Sequence, residues 1–546
     1  MTHHEPSRDP SGFRWLPALT IIVLSWLALF PVTSVDAYYH LATGRRILEE
    51  RSIPTRGVGS ATFGQAPWHD QEWGFQVIAA FLGDPERDGD GVWVQAPAGT
   101  VRLILMRALC LGLTLALLSA MMALAGVDAL SRALGVILAA FLTFGNLFWA
   151  IRPQIFSYLF LAILVYLVEW DRRGARWAGA ATLAVIAIWA NIHGMFVVGI
   201  ALLASEATGE WIDGIRSGHG PVPTGRTRRM AILTLLAPAA ACLNPHGYHQ
   251  LIHPFLYVAR PEIYRGNLEW TRPDYLHLPL LVLTAAILVV ALANRPRLPA
   301  THVVRCALFG ALAASAIRHL PMAALVWVPV AGASLTEAAH RGGWRRNLLP
   351  TGPAWGPPAA RVAAGAILAA TIVVLSGAKF VGIRPRFEER PVLPMPETAV
   401  RLIASHGGEG TVFNSYRFGG FLMFRLYPRE VAFMDGRNDL YGAFRHEVYN
   451  PILATRPGWR SLWARAVEEH DVRWVLVDEK DPLVAALAGD AAWLMAADGA
   501  PAVLDGEPGR DGVVLMPRDD PGSRQWLLPA LRAAERGHGA EEDRSP

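Results

Sequence analysis

Three acidic residues in a polar segment near the N-terminus have side chains suited to proton transfer. Asp36 opens the stretch "DAYYH", and Asp70 and Glu72 lie in "HDQEW". If the second stretch is extended, the side chains of Asp70 and Glu72 point to the same side, because side chains alternate along a strand. A positioned carboxylate can take a proton from a hydroxyl group, and it can also bind a divalent cation. Asp36, Asp70 and Glu72 are therefore our candidate catalytic residues.

Arginine and histidine residues form a second candidate group, at short turns between apolar segments. Arg152 and Arg318 suit the bidentate binding of a phosphate group, and His193, His246 and His319 occupy equivalent turns. We predict that these five side chains bind substrate. A single histidine in such a turn is more often part of a hydrogen-bonded turn, and the prolines in "RPQ" and "NPHG" also favour turns. The spacing does not show whether the five side chains converge.

Aromatic residues and a histidine accompany the first acids. Tyr39 and His40 are further candidates for substrate binding. Tyr38, Tyr39, Trp68 and Trp73 can stack on a sugar, but residues of this type also form the aromatic belt at a membrane surface. The belt is the commoner role for such residues. His40 has the simpler alternative of packing within the loop.

The acids also have structural interpretations. Asp36 can cap a helix that begins at Ala37, because Asp is a favoured N-cap residue. Capping and catalysis do not exclude each other. Glu72 immediately precedes an apolar run, and a structural ion pair would explain it as well as a catalytic role does.

Membrane helices are the elements that must position these residues. The chain has 546 residues, of which 52% are hydrophobic and 18% charged, and this composition is too apolar for an ordinary soluble protein. A spanning helix needs roughly 20 apolar residues. We predict a polytopic α-helical membrane protein with about eleven transmembrane helices, near residues 14–34, 102–126, 132–150, 154–170, 177–192, 195–211, 229–243, 277–293, 302–316, 319–336 and 361–378.

Arginine-rich loops predict the orientation of these helices. Such loops recur at every second connection after the third predicted span, as "EWDRRGARW", "DGIRSGHGPVPTGRTRRM", "NRPRLPATHVVR" and "HRGGWRRN". Basic loops stay on the cytoplasmic side, so we predict a cytoplasmic N-terminus and an external segment after Ala378. The net charge of +4 is dispersed over these loops without an aromatic-interleaved stripe, which argues against a nucleic-acid partner.

The first apolar block and the three cysteines allow two further predictions, one about a signal peptide and one about cysteine chemistry. The block is longer than a typical signal-peptide core and no small-x-small cleavage site follows it, so we expect a retained membrane helix. Cys110, Cys242 and Cys306 all lie within predicted spans. Their position argues against a disulfide framework and against a cysteine zinc site.

The predicted chain has three parts. Residues 1–394 form a transmembrane domain with a large first external loop, 36–100, and residues 395–520 alternate between helix and strand patterns, which predicts an external soluble α/β domain. Its strands are predicted at "TVFNS", "EVAFMD" and "VRWVLVD" and near residues 501–505 and 512–516. In "DGRNDLYG", two aspartates follow a strand, where α/β sites form, although a tight acidic turn is the commoner explanation. The polar tail at residues 521–546 is predicted to be disordered.

The first loop resembles the GT-C superfamily of integral-membrane glycosyltransferases, in which an acid lies just beyond the first span. The stretch from "DAYYHLATGRRI" to "WHDQEWGFQV" is also similar to a bacterial family of GT-C-like membrane proteins. That family's pattern is an acid, two aromatics and a His, then "G-x-x-I", "I-P" and "W-x-x-x-E-W". The similarity extends to "RPQIFSYLF", "NIHGMFV", "LNPHGY", "EW" and "FNSYRFGGFLMF".

The resemblance implies sugar transfer from a polyprenyl-phosphate-linked donor, at the outer face of a bacterial inner membrane, to an unidentified glycan, lipid or protein acceptor. Such a reaction needs a base for the acceptor proton and a positive charge for the leaving phosphate. The resemblance makes Asp36 the base or a metal ligand, with Mg²⁺ or Mn²⁺ as the expected cofactor if a metal takes part. The alternative is a non-catalytic or transport protein that binds a lipid or glycan in the same outward-facing cavity. An inverted-repeat transporter would show related halves with polar residues near the midplane, and the chain shows neither.

Overall fold

The computed structural model describes residues 14–29, 34–143, 151–218, 222, 225–274, 281–282, 284–286, 288–289, 299–342, 395–406, 410–478, 480–488, 493–495 and 512–517. These residues belong to two compact units. The first unit takes in residues 1–30, 104–256 and 266–387, and the second takes in residues 31–103, 257–265 and 388–546. The predicted span at 361–378, the boundary at 394, a strand near 501–505 and the tail at 521–546 lie outside the described residues.

Eighteen α-helices lie in the described residues. In chain order they are α1 Leu16–Leu27, α2 Asp36–Glu50, α3 Trp73–Gly83, α4 Pro97–Leu124, α5 Ala129–Thr143, α6 Gln154–Arg172, α7 Trp177–Ile192, α8 Phe196–Arg216, α9 Gly225–Ala241, α10 Tyr248–Ala259, α11 Ala300–Ser315, α12 Leu320–Gly342, α13 Glu397–His406, α14 Gly419–Leu426, α15 Asn438–Tyr441, α16 Asn450–Leu453, α17 Trp459–His470 and α18 Pro482–Ala488.

Three helices of the described part are long and apolar enough to cross a bilayer: Pro97–Leu124, Gln154–Arg172 and Ile317–Glu337. Shorter apolar helices include α1, α5, α7 and α11. The chain is therefore a helical membrane protein. The count of eleven spans stays a prediction, because several of the predicted spans fall partly or wholly on residues outside the description.

The core of the first unit is apolar side chains between its helices. Leu111, Trp189, Phe196 and Phe309 are almost completely buried there, and burial of this kind is the main stabilising contribution to packing. Close helix approach needs small residues. A Cβ atom on Gly209 of α8 would lie 2.3 Å from the Thr301 Cα of α11, so these two helices touch through their backbones.

Some arginines predicted to mark the cytoplasmic side form a buried ion network within the first unit. The fully buried Glu206 accepts bonds from Arg172 at 2.9 Å, Arg305 at 3.1 Å and Arg226 at 3.4 Å. These four residues come from α6, α8, α9 and α11. Removing one partner of a buried ion pair leaves a charge uncompensated and costs several kcal/mol, so the network ties the four helices together.

A five-stranded sheet forms the centre of the second unit. The strands of the described part are β1 Pro85–Arg87, β2 Trp93–Gln95, β3 Gly410–Asn414, β4 Glu430–Ala432, β5 Val472–Asp478, β6 Trp493–Met495 and β7 Gly512–Pro517. The sheet order is β4-β3-β5-β7-β6. Strand β3 runs parallel to β4 and β5, whereas β7 is antiparallel to β5 and β6. Strands lie at four of the positions that the sequence predicts, with β3, β4 and β5 ending at the same edge.

The first loop and the C-terminal segment fold together within the second unit. Helix α2 packs against α3 and α14, and Arg45 Nη1 donates to the Phe424 carbonyl at 3.3 Å. Gly44 allows α2 and α3 to approach closely, since a Cβ atom there would lie 1.9 Å from the Gln76 carbonyl oxygen. The Ala61 amide donates to the Ala432 carbonyl at 2.9 Å. Segments almost 400 residues apart in sequence therefore share one core.

Candidate functional site

Asp36 is the first residue of α2. The helix begins one residue earlier than the capping interpretation assumed, and Val35, in right-handed helical conformation, takes the cap position. The structure thus places Val35, and not Asp36, at the cap position of α2. The Asp36 carboxylate lies close to Gly436, in the segment after β4. If Gly436 carried a Cβ atom, that atom would lie 2.8 Å from Asp36 Oδ1 and 3.4 Å from the Tyr39 ring.

Glu72 lies next to two neighbouring residues of α2, Tyr39 and His40. The Tyr39 hydroxyl donates to Glu72 Oε2 at 3.0 Å, and His40 Nδ1 lies 4.0 Å from the same oxygen. His40 also packs edge-on against Phe75, with ring centroids 4.9 Å apart. Acids and aromatics from the two ends of the first loop are thus brought together.

Asp70 is completely buried beside this pair. Its Oδ1 accepts hydrogen bonds from Gln76 Nε2 at 2.9 Å and from the Glu72 amide at 3.3 Å. The second bond spans only two residues, so Asp70 and Glu72 lie in a local turn. This turn replaces the extended segment that would have aligned the two side chains.

The pKa values of the Asp70 and Glu72 carboxyl groups are both raised above their ordinary values. Burial raises the pKa of Asp70 to about 7, against the effect of its hydrogen bonds. Burial also raises the pKa of Glu72 to about 8; the hydrogen bond from Tyr39 opposes this rise, and the charges of Asp70, Asp439 and Asp36 add to it. A carboxyl group with a pKa near neutrality can both accept and return a proton during a reaction.

The loop after β4 is held by a buried ion pair. Arg437 donates to Asp435 Oδ2 at 2.6 Å and to Asp435 Oδ1 at 2.9 Å, and the Tyr441 hydroxyl also donates to Asp435 at 2.9 Å. Asp435 is fully buried, which fits the structural interpretation of this acidic turn. Asp439 does not take part in this ion pair. It accepts a hydrogen bond from Trp68 Nε1 at 3.1 Å, and its charge acts on Glu72.

The aromatic residues near the acids are packed inside the second unit. Tyr38, Tyr39 and Trp68 are buried. Tyr38 packs edge-on against Phe421, with centroids 4.9 Å apart, and the Arg437 guanidinium lies 4.9 Å from the Trp68 ring centroid. Burial leaves Tyr38 and Trp68 unsuited to either a membrane belt or an open stacking surface. Substrate contact by Tyr39 or His40 stays a prediction.

The predicted arginines of the first unit meet at a residue that the sequence did not single out. Arg152 forms an ion pair with Glu269, and the Arg318 guanidinium lies 4.4 Å from the ring centroid of Trp270. Burial would raise the pKa of Glu269, but the charges of Arg152 and then Arg318 outweigh it and lower that pKa. The only sequence signal for Glu269 was the "EW" shared with the GT-C-like family.

The three candidate histidines, all in the first unit, lie in different surroundings. His319 Nδ1 is within 3.0 Å of both Ser315 Oγ and the Leu312 carbonyl, and its ring faces Trp270 edge-on at 6.1 Å. His193 is buried and shares a 2.7 Å hydrogen bond with Ser157 Oγ. The His246 amide donates to Asn244 Oδ1 at 2.7 Å in a local turn. His319 thus lies beside Trp270, which stacks with Arg318, and the charge of Arg318 also acts on the His193 ring.

The candidate acids belong to the second unit and the candidate arginines to the first. Their meeting in one cavity stays a prediction. Among the described residues, no group of three or more His, Cys, Asp or Glu side chains is arranged to hold a metal ion. A requirement for Mg²⁺ or Mn²⁺ stays a prediction, and we assign no metal step to these acids.

Comparison with solved structures shows that the chain is similar in fold to known proteins. No family model matches the sequence, and no curated protein matches it. Among solved structures, the chain is similar to the arabinofuranosyltransferase AftD from Mycobacteria, with a TM-score of 0.49 and 15% sequence identity. The match covers 92% of this chain and 40% of that chain.

Proposed function

We propose that the protein is a GT-C-type membrane glycosyltransferase that transfers a sugar from a polyprenyl-phosphate-linked donor to an acceptor outside the inner membrane. The observation that carries the proposal is the group formed by Asp36 and Glu72 at Tyr39, with Asp70 beside Glu72. These acids come from the first loop, and two of them have pKa values raised to about 7 and about 8. A buried carboxyl group that titrates near neutral pH is a candidate for acid–base catalysis.

In this proposal, Asp36 takes the proton of the acceptor hydroxyl. It lies at the start of α2, where the helix dipole favours a negative charge, and Gly436 leaves room beside its carboxylate. Glu72 and Asp70 receive or return protons at neutral pH. The hydrogen bond from Tyr39 fixes the orientation of Glu72.

Arg152 and Arg318 supply the positive charge for the donor phosphate. Two arginines face one carboxylate, Glu269, so this group has an excess of positive charge. Guanidinium groups bind phosphate oxygens through paired hydrogen bonds. His319 lies close enough to this group to assist, and His193 is near enough for the charge of Arg318 to act on its ring.

The proposal places the C-terminal α/β domain and the first loop outside the membrane, and the N-terminus in the cytoplasm. The acceptor is a hydroxyl-bearing glycan, lipid or protein. A requirement for Mg²⁺ or Mn²⁺ is tested by comparing transfer with and without a chelator.

The experiment uses the full chain in nanodiscs with a panel of polyprenyl-phosphate-linked sugars. Asp36→Asn keeps the size of the side chain but cannot act as a base, so transfer should fall by at least a hundredfold. Glu49→Gln, which changes an exposed acid on the same helix, should leave transfer unchanged. Near-normal transfer by Asp36→Asn would remove the acid from the mechanism. Donor binding without transfer by the unmodified protein would favour the non-catalytic or transport role.

A further inference from the structure

Helix α10, Tyr248–Ala259, presents apolar side chains outward. Tyr248 is 60% exposed, Ile252 is 49% exposed and Phe255 is 60% exposed. Residues at i, i+4 and i+7 lie on one face of a helix. The three side chains therefore form a continuous apolar stripe, which is defined here as the α10 stripe.

The inward side of α10 carries two buried polar residues beside the partly buried Leu251. Gln250 is 1% exposed and His253 is 6% exposed. Gln250 Nε2 donates to the Ala190 carbonyl at 2.7 Å. An amphipathic helix on a water-soluble protein shows the opposite arrangement, with its apolar face buried. The inverted arrangement indicates that an apolar medium covers the outer face of α10.

Two hydrogen bonds attach α10 and the segment before it to the C-terminal end of α7. Ala190 lies in the last turn of α7, two residues before that helix ends at Ile192. In the same turn, Asn191 Nδ2 donates to the Leu243 carbonyl at 2.9 Å. The apolar helix α7 gives way here to the polar "NIHG", so the segment from Leu243 to Gln250 is attached where the membrane surface is expected.

Helix α10 is too short to cross the membrane. Twelve residues extend for about 18 Å, whereas the hydrocarbon core is about 30 Å thick. Tyr248, at one end of the stripe, is of a type enriched at membrane surfaces, and His249 beside it is exposed. Short helices with these features lie along the boundary between headgroups and acyl chains.

We propose that α10 is an interfacial helix whose stripe of Tyr248, Ile252 and Phe255 inserts into the lipid leaflet at the end of α7. The partner is the acyl-chain region of the phospholipids, and His249 remains at headgroup level. The proposal depends only on the surface of α10 and on its attachment to α7. It therefore holds whether or not the protein transfers sugars.

Site-directed spin labelling in nanodiscs tests this placement. Cys110, Cys242 and Cys306 are replaced by alanine, and single cysteines are introduced as Ile252→Cys, Phe255→Cys and, as the control, His249→Cys. Labels at 252 and 255 should collide frequently with oxygen and rarely with a water-soluble nickel chelate. The label at 249 should collide at least severalfold more often with the chelate. Frequent chelate collisions at 252 and 255 would overturn the proposal, and shielding from both reagents would show a protein contact instead.

A second measurement avoids the cysteine-free background. A benzophenone amino acid is introduced at Phe255 or at His249 in the otherwise unchanged chain, and the nanodiscs are illuminated. Mass spectrometry should find phospholipid cross-linked at position 255 in clear excess over position 249. Equal lipid yields at the two positions would contradict the proposed orientation of α10.

Discussion

The Tyr39 hydroxyl donates a 3.0 Å hydrogen bond to Glu72 Oε2, so the two ends of the first loop meet at a single carboxylate. This bond favours the ionised form of Glu72 and opposes the effect of burial on its pKa. The proton affinity of Glu72 therefore depends on a residue 33 positions away.

Tyr39→Phe should raise the pKa of Glu72 above its present value of about 8, because the bond that stabilises the carboxylate is lost. Dicyclohexylcarbodiimide modifies protonated carboxyl groups, and mass spectrometry of the tryptic peptide 57–87 can follow the labelling of Glu72 against pH. The midpoint should move to higher pH. In Tyr38→Phe, which alters a ring packed on Phe421, the midpoint should stay in place. A shift to lower pH in Tyr39→Phe would contradict this assignment.

Asp70→Asn should flatten the dependence of stability on pH. The pKa of Asp70 is raised from 3.8 to about 7, so the folded protein holds a proton that the unfolded chain releases. The stabilising contribution is complete below pH 4 and is lost as the pH rises to 7. Each pH unit in that window changes the unfolding free energy by about 1.4 kcal/mol.

Thermal unfolding at pH 5 and pH 8 measures this effect. The difference between the two unfolding temperatures should be smaller for Asp70→Asn than for the unmodified protein. Asp84→Asn changes an exposed acid in the same unit and should preserve the difference. An unchanged pH dependence in Asp70→Asn would show that Asp70 titrates normally.

Gly436→Ala should displace the Asp36 carboxylate. The new Cβ atom would lie 2.8 Å from Asp36 Oδ1 and 3.4 Å from the Tyr39 ring, and the short carboxylate side chain is what can move. On the proposed function, sugar transfer should fall about tenfold or more at similar expression. Gly89→Ala introduces the same methyl group where no atom lies within 4 Å and should have no effect. Equal activity of the two variants would show that the position of Asp36 is unimportant.

Glu269→Gln should strengthen the binding of a polyprenyl phosphate. The ion pair with Arg152 holds a negative charge beside the arginines, and removing it leaves them free to attract phosphate. We expect the Kd, measured by microscale thermophoresis in detergent, to fall severalfold, and Arg152→Gln to raise it about tenfold. Arg265→Gln, at an exposed arginine, serves as the neutral control. Weaker binding in Glu269→Gln would indicate that Glu269 holds Arg152 in position.

Reporter fusions test the predicted orientation. A reporter that is active only in the cytoplasm should be silent when fused after residue 520 and when inserted at Gly89 in the first loop. It should be active at the N-terminus. Activity after residue 520 would refute the predicted placement of the C-terminal domain.

Local pattern was sufficient to predict much of what is observed. The helix after Asp36, the apolar helices and strands β3, β4 and β5 follow from composition, spacing and turn residues. The acids and arginines were selected because their chemistry is unusual at the ends of apolar segments. Each of these inferences depends on residues that are close together in the chain.

Contacts between distant segments were beyond such patterns. Trp68 donates to Asp439 across 371 positions, and no periodicity in either segment encodes that pairing. Glu269 was missed because a single acid in a long polar loop is unremarkable until Arg152 lies beside it. Tyr38 and Trp68 suggested a membrane belt, but their burial depends on α14 and on the loop after β4, which belong to the far end of the sequence.

The shared fold of the second unit limits how the chain can thread the membrane. The His446 ring contacts the Glu262 carbonyl at 3.0 Å, and Gln71 donates to the Tyr257 hydroxyl at 3.4 Å, so three widely separated segments fold together. Segments that fold together must lie on one side of the bilayer. The chain must therefore cross the membrane an even number of times between residues 103 and 257, and again between residues 265 and 395. The six and four spans predicted in those intervals obey this parity, and any revised count must change in steps of two.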